Sequence, residues 1–401
     1  MRLLYLTHTC PYPPNKGERI RCFNILKHLS RQHEVEIIYP TFSNDHADCK
    51  TALLRHCRSV KTAYINPLLG YMRCLHGLFT KHPLTTPFFF SKKLERLIQV
   101  DGFDLVLVDC SSMARYVLDK PVLKILDFVD IDSEKWKQYA TTASFPKNFL
   151  YELEAKRLHH FEAKLCRIFD ACLVVSNTEK ELVRDKTNVV VVANGIDLQF
   201  FTPQRKPSEH ILTFTGAMNY LPNIDGVIYF HNEILPLIRK QIPTVKFIIA
   251  GMQPSAKIRA LADDHTIVTG FVPDIREYLS KSDVCIVPLR IAKGIQNKVL
   301  EAMAMEVPVV ATPNANNGIN ATDKIEILLA NDPHDFANAT VSLLKDIRLR
   351  DTITKNAKVL VERKFCWERN LEALDKLITF IRMKSVTNKE HSPFGDIDSW
   401  P

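Results

Sequence analysis

The stretch KGIQNKVLEAMAMEVPVVAT, residues 293–312, predicts a helix that opens on a glycine and runs directly into a buried strand. Gly294 lets the backbone come close to a ligand, because glycine has no Cβ. The first N–H groups of a helix have no acceptor within it, and the helix dipole favours an anion there. The N–H groups in question belong to Ile295, Gln296 and Asn297. A diphosphate suits this position.

Glu301 is the second candidate in the stretch. It lies seven residues after Gly294, which is about two turns at roughly 3.6 residues per turn. An ionised carboxylate only accepts hydrogen bonds, so two adjacent hydroxyls of a ribose can both donate to it. The spacing alone also allows an exposed helical glutamate beside Lys298, and this alternative stays open.

The composition is that of a soluble globular protein with two domains. The chain has 401 residues, enough for two domains of roughly 100–200 residues each. No apolar run approaches the ~20 residues of a membrane span, and the start MRLLYLTHTCPYPP is too briefly apolar for a signal peptide. Ten cysteines without a C-x-x-C pair favour a reducing cytosol over a zinc site or a disulfide framework.

Apolar strands alternate with helices along the chain. In the first half we predict strands at 2–7, 34–40, 103–110, 122–130, 170–177 and 188–195, with a long helix at about 145–168. In the second half we predict strands at 210–217, 245–251, 266–272, 283–289 and 307–312, with a helix from about 223 to 241. Apolar strands separated by helices are typical of parallel sheets covered on both faces.

The predicted fold class is α/β, with two doubly wound, Rossmann-like parallel-sheet domains facing each other across a cleft. The boundaries are 1–195 for the first domain, 196–209 for a polar linker with prolines, and 210–365 for the second domain. A helix at 366–384 is expected to return toward the first domain, and 385–401 to form a mobile tail. Such folds bind ligands at the carboxyl ends of their strands, so we expect the site in the cleft.

The loop after the first strand excludes two nucleotide-binding classes. A dinucleotide-binding fold needs G-x-G-x-x-G directly after its first strand, whereas HTCPYPPNKGERIR at 8–21 contains the single glycine Gly17. A Walker A sequence is also missing. Gly17 precedes a predicted helix whose N–H groups can face an anion, although a glycine before a helix is more often a simple break between elements.

Basic and aromatic residues concentrate between 50 and 96. Nine lysines and arginines stand there against the single acid Glu95, together with the run Phe88-Phe89-Phe90. Basic residues mixed with aromatic ones suit the surface of an anionic membrane, at about 1 kcal/mol per basic residue. A solvated helix pair covering the sheet is the alternative. A nucleic-acid surface is disfavoured, because no reader motif accompanies the charge.

Taken in order, these segments resemble the glycosyltransferases of family 4, enzymes with the GT-B fold. The stretch at 293–312 is similar to their nucleotide-sugar motif, and THTCPYPPNKGERIR to the acceptor loop of exopolysaccharide-type bacterial sugar transferases. The remaining similar segments are VVSNTEKELV, VVANGIDLQFF, FTGAMNYLPNIDGVIYFHNEILP and GFVPDIREYLSKSDVCIVPL. The resemblance covers about residues 2–380 and rests on the joint order of the segments rather than on any one motif.

The resemblance implies roles for particular residues. Glu301 would hold the ribose hydroxyls of a nucleoside diphosphate sugar, and the amides from Gly294 to Asn297 would meet its diphosphate and sugar. Gly17 would approach the phosphates or the acceptor. The backbone that meets the base lies near Phe271, Val272 and Pro273. Further substrate-binding candidates are His8, Arg21, Gly216 and Asn219.

Two departures from the family's pattern concern charge. The family's first glutamate, eight residues before the second, is Lys293 here, which bears on the sugar identity and on catalysis. This lysine can instead neutralise a diphosphate or bind an acidic sugar. The arginine and lysine usual after the strand at 210–217 are also missing. Candidate substitutes are Arg290, Lys293 and Lys298, for which ordinary surface charge is the alternative.

A third departure follows the strand at 122–130. The family's histidine gives way there to the acidic cluster LDFVDIDSEKW. Asp127 and Asp130 can orient the acceptor hydroxyl or the sugar, but an aspartate after a strand can equally cap the next helix. Asp130, Lys293 and Glu301 form the candidate catalytic set, and no metal ligand is predicted.

The resemblance implies a retaining, metal-independent glycosyltransferase that needs no cofactor. It would move a sugar from a nucleoside diphosphate sugar to a hydroxyl of a lipid-linked glycan in cell-surface polysaccharide biosynthesis. The expected partners are the sugar nucleotide, the glycan acceptor and an anionic membrane surface reached through 50–96, with no nucleic acid. The expected location is the cytoplasm, at the inner face of the cell membrane. Two alternatives are a sugar-nucleotide epimerase and a non-catalytic sugar-nucleotide-binding partner in a polysaccharide assembly complex.

Overall fold

The structure is a computed structural model that describes residues 1–14, 17–42, 47–78, 80, 82–203, 210–292 and 294–387. The chain forms two compact units. The first unit contains Met1–Ala193 and the chain from Leu371 onward, and the second contains Asn194–Asn370. Within the described ranges, no helix combines the length and apolarity that crossing a lipid bilayer requires.

The first unit is built on a seven-stranded, wholly parallel sheet. Its strands are β1 Arg2–Leu6, β2 Glu34–Thr41, β3 Ser59–Tyr64, β4 Leu105–Asp109, β5 Leu123–Asp127, β6 Ala171–Val174 and β7 Val189–Val191. They lie in the order β3-β2-β1-β4-β5-β6-β7. The helices are α1 Gly17–Leu29, α2 Ala47–Leu53, α3 Pro67–Gly77, α4 Lys92–Leu97, α5 Asp132–Thr142, α6 Lys147–Ile168 and α7 Asn177–Leu182.

The second unit repeats this plan with six parallel strands. They are β8 Ile211–Thr215, β9 Lys246–Ala250, β10 Thr266–Gly270, β11 Val284–Val287, β12 Val309–Ala311 and β13 Leu328–Leu329, in the order β10-β9-β8-β11-β12-β13. The helices are α8 Leu221–Tyr229, α9 Leu235–Gln241, α10 Ala256–Arg259, α11 Arg276–Leu279, α12 Asn297–Ala304, α13 Pro313–Asn316, α14 Pro333–Lys345 and α15 Ile347–Lys364. The last helix, α16 Trp367–Thr387, begins in the second unit and belongs to the first unit from Leu371 onward. A π-helical turn, Phe230–Ile234, joins α8 to α9.

The predicted fold class of two doubly wound parallel-sheet domains is confirmed. Every residue of β4 and of β11 is buried, as expected for strands with both faces covered by helices. In each sheet the strand order reverses once, between β1 and β4 and between β8 and β11. Folds of this type bind ligands at such reversal points, outside the carboxyl ends of the strands.

Two strands escape the sequence analysis, β3 and β13. Because β3 lies inside the 50–96 segment, that segment is not simply a helix pair: it holds an edge strand, α3, α4 and a short 3₁₀ turn at Thr86–Phe89. The predicted strands elsewhere and the helix at about 145–168 are confirmed. The predicted helix from about 223 to 241 consists of α8, the π turn and α9.

The described part of the predicted linker belongs to the second unit. Ile196 donates its N–H to the carbonyl of Phe365 at 2.7 Å, and the carbonyl of Phe200 accepts from the guanidinium of Arg276 at 2.8 Å. Residues 204–209 lie outside the described ranges, as do 388–401 of the predicted tail. Residues 385–387 of that tail belong to α16.

Candidate functional site

The strand reversal in the second unit brings two loops to one edge of its sheet. β8 ends at Thr215 and continues into Gly216, whose φ is 148°. β11 ends at Val287, and the loop that follows leads to α12. The close packing at this edge requires glycine, because a Cβ on Gly251 would lie 1.7 Å from the carbonyl oxygen of Gly216.

Lys298 places a buried cation at the end of β8. Its Nζ donates to the Oδ1 of Asn223 at 2.5 Å and lies 4.3 Å from the centroid of the Phe214 ring. A Cβ on Gly216 would lie 3.2 Å from this Nζ, so the ammonium is directly beside the glycine. Burial lowers the pKa of Lys298 to about 8. Its described hydrogen-bond partner is a neutral amide, and the carboxylate of Glu301 attracts its charge.

Glu301 shares a helix face with Lys298, because residues three apart on a helix are neighbours. Its side chain keeps partial exposure, and the surrounding protein raises its pKa to about 7 by burial, against the opposing attraction of Lys298. Glu301 is thus less exposed than an ordinary surface glutamate, and its role in ribose binding stays a prediction. Around neutral pH this group lies near its own titration point.

Helix α12 begins later than predicted. It starts at Asn297, with Gln296 as the N-cap residue, so Gly294 lies in the preceding loop and not at the helix start. Glu301 consequently lies about one turn into α12 rather than two. Gly294 has a φ of 60°, in the left-handed region that favours glycine. Its carbonyl rests against Gly318, where a Cβ would lie 2.4 Å from the oxygen.

Arg290, proposed as a substitute cation, is already neutralised. Its Nε donates to the Oδ2 of Asp225 at 3.0 Å, and its guanidinium lies 4.8 Å from the centroid of the Tyr229 ring. The guanidinium of Arg290 forms a bidentate ion pair with the carboxylate of Asp225, so the charge of Arg290 is much less available to a ligand than that of Lys298. Lys293 lies outside the described residues.

The other predicted contacts of the second unit lie on its surface or at its edge. Asn219 is exposed and donates to the Oε1 of Gln253 at 2.6 Å. Phe271 is 67% exposed and Val272 is half-buried. Both follow Gly270, whose φ of 73° turns the chain at the end of β10. Ile295 and Asn297 are half-buried on either side of the N-cap of α12.

The strand reversal in the first unit holds a histidine–aspartate pair. His8, just after β1, places its Nδ1 2.5 Å from the Oδ2 of Asp109, the last residue of β4. Burial alone would lower the pKa of His8, but the carboxylates of Asp109, Glu18 and Asp132, with Asp109 foremost, together raise this pKa. Because Asp109 engages Nδ1, Nε2 is the ring nitrogen that can meet a substrate.

Arg21 and Asp127 form a closed ion pair inside the first unit. The Nε of Arg21 donates to the Oδ2 of Asp127 at 2.7 Å, and its Nη1 donates to the carbonyl of Val192 at 2.8 Å. Both side chains are 0% exposed. This burial contradicts the expectation that Arg21 and Asp127 contact a substrate; they join α1, β5 and the end of β7.

Asp130 and Gly17 stay open to solvent at the same end of the first sheet. The N-cap of α5 is Ile131, and the N–H of Ser133 in its first turn donates to the Oε1 of Glu162 at 2.9 Å rather than to Asp130, so the alternative role of Asp130 as a helix cap is wrong. Gly17 is the first residue of α1, and no other part of the described chain, its own helix and chain neighbours apart, comes within 4 Å of where its Cβ would be. Both remain predicted substrate contacts.

Three residues of these sites escaped the sequence analysis as site residues. They are Asp109, Asn223 and Gly318. Asp109 ends a buried apolar strand with a carboxylate, which is a usable signal. Asn223 occupies a helix that offers no such signal, and Gly318 acts through a contact with a loop 24 residues earlier. Across the described residues, no cluster of three or more His, Cys, Asp or Glu side chains is arranged to hold a metal ion.

Sequence comparison matches the two halves to two families. Residues 17–200 match the family described as Glycosyltransferase Family 4. Residues 209–346 match the family described as Glycosyl transferases group 1. The two matches together span most of the chain and follow the division into two units.

Individual relatives agree with these matches. An "Uncharacterized 44.6 kDa protein in cps region" of Klebsiella pneumoniae is 22% identical over 91% of this chain and 96% of its own length. The "UDP-Gal:alpha-D-GlcNAc-diphosphoundecaprenol alpha-1,3-galactosyltransferase" of Escherichia coli is 28% identical over 52% of this chain and 58% of its own length. Among solved structures, Anabaena Alr3699/HepE in complex with UDP superposes with a TM-score of 0.63 at 14% identity, over 97% of this chain and 100% of that one.

The buried ion pair yields a stability prediction. We expect Asp127→Asn to destabilise the protein by about 3–5 kcal/mol, because it leaves the buried charge of Arg21 uncompensated. The melting midpoint should fall by on the order of 10 °C. Glu152→Gln, in the exposed pair of Glu152 with Lys156, is the control and should leave the midpoint nearly unchanged. Equal midpoints for the two variants would show that the Arg21–Asp127 pair does not support the fold.

Proposed function

Because the chain belongs to the glycosyltransferases with a family 4 and a group 1 domain, we propose a specific reaction for it. The protein transfers a sugar, with retention of anomeric configuration, from a nucleoside diphosphate sugar to a hydroxyl of a lipid-linked glycan, without a bound metal ion or cofactor. The observation that carries this proposal is the pair of Lys298 and Glu301 on one face of α12, with the ammonium of Lys298 beside Gly216.

Lys298 supplies the charge that a diphosphate needs. Its ammonium is buried, bonds to a neutral amide and lies against the glycine at the end of β8. The first N–H groups of α12 add partial positive charge at the same edge. In a site with little water these groups stabilise the departing diphosphate, which takes the place of a metal ion in this proposal. Lys298 thus replaces the basic pair that is missing after β8.

Glu301 holds the nucleoside in this proposal. As a carboxylate it accepts hydrogen bonds from both hydroxyls of a ribose, and it lies one turn along α12 from the helix start. The distance along the helix then matches the order of groups in the donor, with the diphosphate at the helix start and the ribose further in. The exposed backbone at Phe271 and Val272 is the proposed contact for the base.

The first unit binds the acceptor in this proposal. The Nε2 of His8, oriented by Asp109, and the exposed carboxylate of Asp130 position the acceptor hydroxyl or the sugar. The hydroxyl attacks C1 of the sugar on the face that the diphosphate leaves. Its proton passes to a phosphate oxygen of the leaving group, so the protein needs no general base. Asp109 is then a positioning residue, because it acts through His8.

The proposed donor base and acceptor are taken by analogy with relatives. The Anabaena structures contain UDP and UDP-glucose, and the Escherichia coli relative is named for UDP-galactose and a diphosphoundecaprenol acceptor. We therefore take UDP as the first candidate base and a polyprenyl-diphosphate-linked glycan as the acceptor. The reaction takes place at an anionic membrane surface on the cytoplasmic side, reached through residues 50–96.

The reaction itself is tested with purified protein, UDP-hexoses and a bacterial lipid extract. We expect transfer to a lipid-soluble product with the same anomeric configuration as the donor, read by NMR, at a rate that EDTA does not change. An inverted product or loss of activity in EDTA would contradict the mechanism. An epimerised sugar nucleotide formed without acceptor would indicate an epimerase, and UDP binding without turnover a non-catalytic partner.

The donor site is tested by nucleotide binding. Lys298→Met should keep the contact with Phe214 but weaken UDP binding by roughly 10–100-fold, because a charged hydrogen bond contributes about 1.5–3 kcal/mol. Arg290→Met is the matched control and should bind UDP like the wild type, because Asp225 already neutralises Arg290. Calorimetric titration measures both affinities. Equal losses in the two variants, or a loss only in Arg290→Met, would contradict the assignment.

The pH dependence of donor binding follows from the two pKa values. Below about 7 Glu301 becomes protonated and above about 8 Lys298 loses its charge, so affinity for a UDP-sugar should peak between these values. It should fall by up to roughly tenfold per pH unit on either side. Glu301→Gln should remove the acid limb and Lys298→Met the basic limb. A flat profile from pH 6 to 9 in the wild type would refute this account.

A further inference from the structure

Helix α3, Pro67–Gly77, turns its apolar face outward. Its large apolar side chains recur at helical spacing along one stripe, and they are Leu68 at 68%, Tyr71 at 63%, Met72 at 59% and Leu75 at 63% exposed. Leu69 and Leu78 are exposed on either side of the stripe. A helix that only covers a sheet buries such a stripe, so folding of this chain does not explain it.

The inward face of α3 fixes this orientation. Gly70 packs against Phe88, where a Cβ would lie 2.7 Å from a ring carbon, and Gly77 is also buried. Arg73 turns inward as well, and its Nη1 donates to the carbonyl of Phe90 at 2.6 Å. A larger residue at position 70 would push α3 away from the 3₁₀ turn Thr86–Phe89. The apolar stripe therefore cannot rotate inward without losing these contacts.

The charge around α3 favours an anionic partner. The helix contains no acidic residue, and the segment 50–96 holds nine lysines and arginines against one acid. Lys92, Lys93 and Arg96 on α4 are exposed, directly after the turn that supports α3. An amphipathic helix with exposed apolar side chains and basic neighbours is the form that lies in the headgroup region of an anionic bilayer.

We propose that α3 docks this protein onto an anionic phospholipid bilayer. The stripe from Leu68 to Leu75 enters the boundary between headgroups and acyl chains, and the cations of α4 bind lipid phosphates. The inference deepens the proposed function and rests on it, because a lipid-linked acceptor is what requires a membrane. It narrows the expected membrane-binding segment from residues 50–96 to one helix with a defined face.

A chain of ring contacts connects this helix to the acceptor residues. Tyr71 of α3 packs on Phe88 with centroids 5.2 Å apart, Phe88 on Phe89 at 5.3 Å, and Phe89 on the imidazole of His8 at 6.1 Å. Docking through α3 therefore places His8 a few ring contacts from the bilayer. A lipid-linked glycan can keep its lipid in the membrane while its reacting end approaches His8.

The test is flotation of the full-length protein with vesicles. We expect binding to phosphatidylcholine vesicles that contain 30% phosphatidylglycerol, much weaker binding to pure phosphatidylcholine, and partial loss in high salt. Leu68→Ser/Leu75→Ser should reduce binding at least about tenfold. The matched control is Ile347→Ser/Val359→Ser on α15, where exposures of 61% and 60% are similar, and it should bind like the wild type. Equal binding by the two variants, or no binding of the wild type to either vesicle, would overturn the proposal.

The exposed face of α3 could instead bind a second copy of the chain, and sedimentation velocity without lipid tests this alternative. A dimer that Leu68→Ser/Leu75→Ser dissociates, in a protein that does not float, would assign α3 to self-association and overturn docking. UDP titration of the same preparations separates the two proposals. Flotation without UDP binding would contradict the proposed function but not membrane docking. UDP binding without flotation would contradict membrane docking alone.

Discussion

The reversal of strand order in each parallel sheet is the constraint on which the candidate sites depend. At β1 and β4, and again at β8 and β11, neighbouring strands send their chains to opposite faces of the sheet, which leaves the carboxyl ends uncovered. Each reversal holds one polar pair from elements far apart in sequence. His8 meets Asp109 in the first unit, and Lys298 meets Asn223 in the second. The topology of the two sheets thus determines where the candidate sites lie.

The three buried polar arrangements differ in how completely their charge is balanced. Arg21 and Asp127 neutralise each other out of contact with solvent, so their contribution is to stability. His8 is held by a full carboxylate but keeps Nε2 for another partner. Lys298 has a neutral amide as its described hydrogen-bond partner, and burial disfavours its charge. A ligand with negative charge would relieve that imbalance, which is the physical argument for the proposed diphosphate site in the second unit.

The sequence predicted most of the fold because most strands are short apolar runs between helices. It missed β3 because SVKTAY is an edge strand in which only Val60 and Ala63 are buried, so it is not an apolar run, and its segment was interpreted for its charge. Glu301 and Lys298 could be predicted together as candidates because one helix carries both. Asp109 was missed, and Arg21 with Asp127 misassigned, because their partners lie 101 and 106 residues away in sequence. Whether such a side chain is buried depends on how distant segments pack together, and residue spacing within one motif does not predict that. For α3, the sequence showed only that basic and aromatic residues concentrate in its segment, and it did not show which face of the helix points outward.

The central claim is that Lys298 and Glu301 form the donor site, and a crystal structure with a UDP-sugar bound tests it most directly. The account predicts a diphosphate oxygen within hydrogen-bond distance of the Nζ of Lys298 and near the first N–H groups of α12. It also predicts both ribose hydroxyls on the carboxylate of Glu301. A nucleotide bound away from α12, or one whose diphosphate contacts Arg290 while Lys298 stays on Asn223, would contradict it.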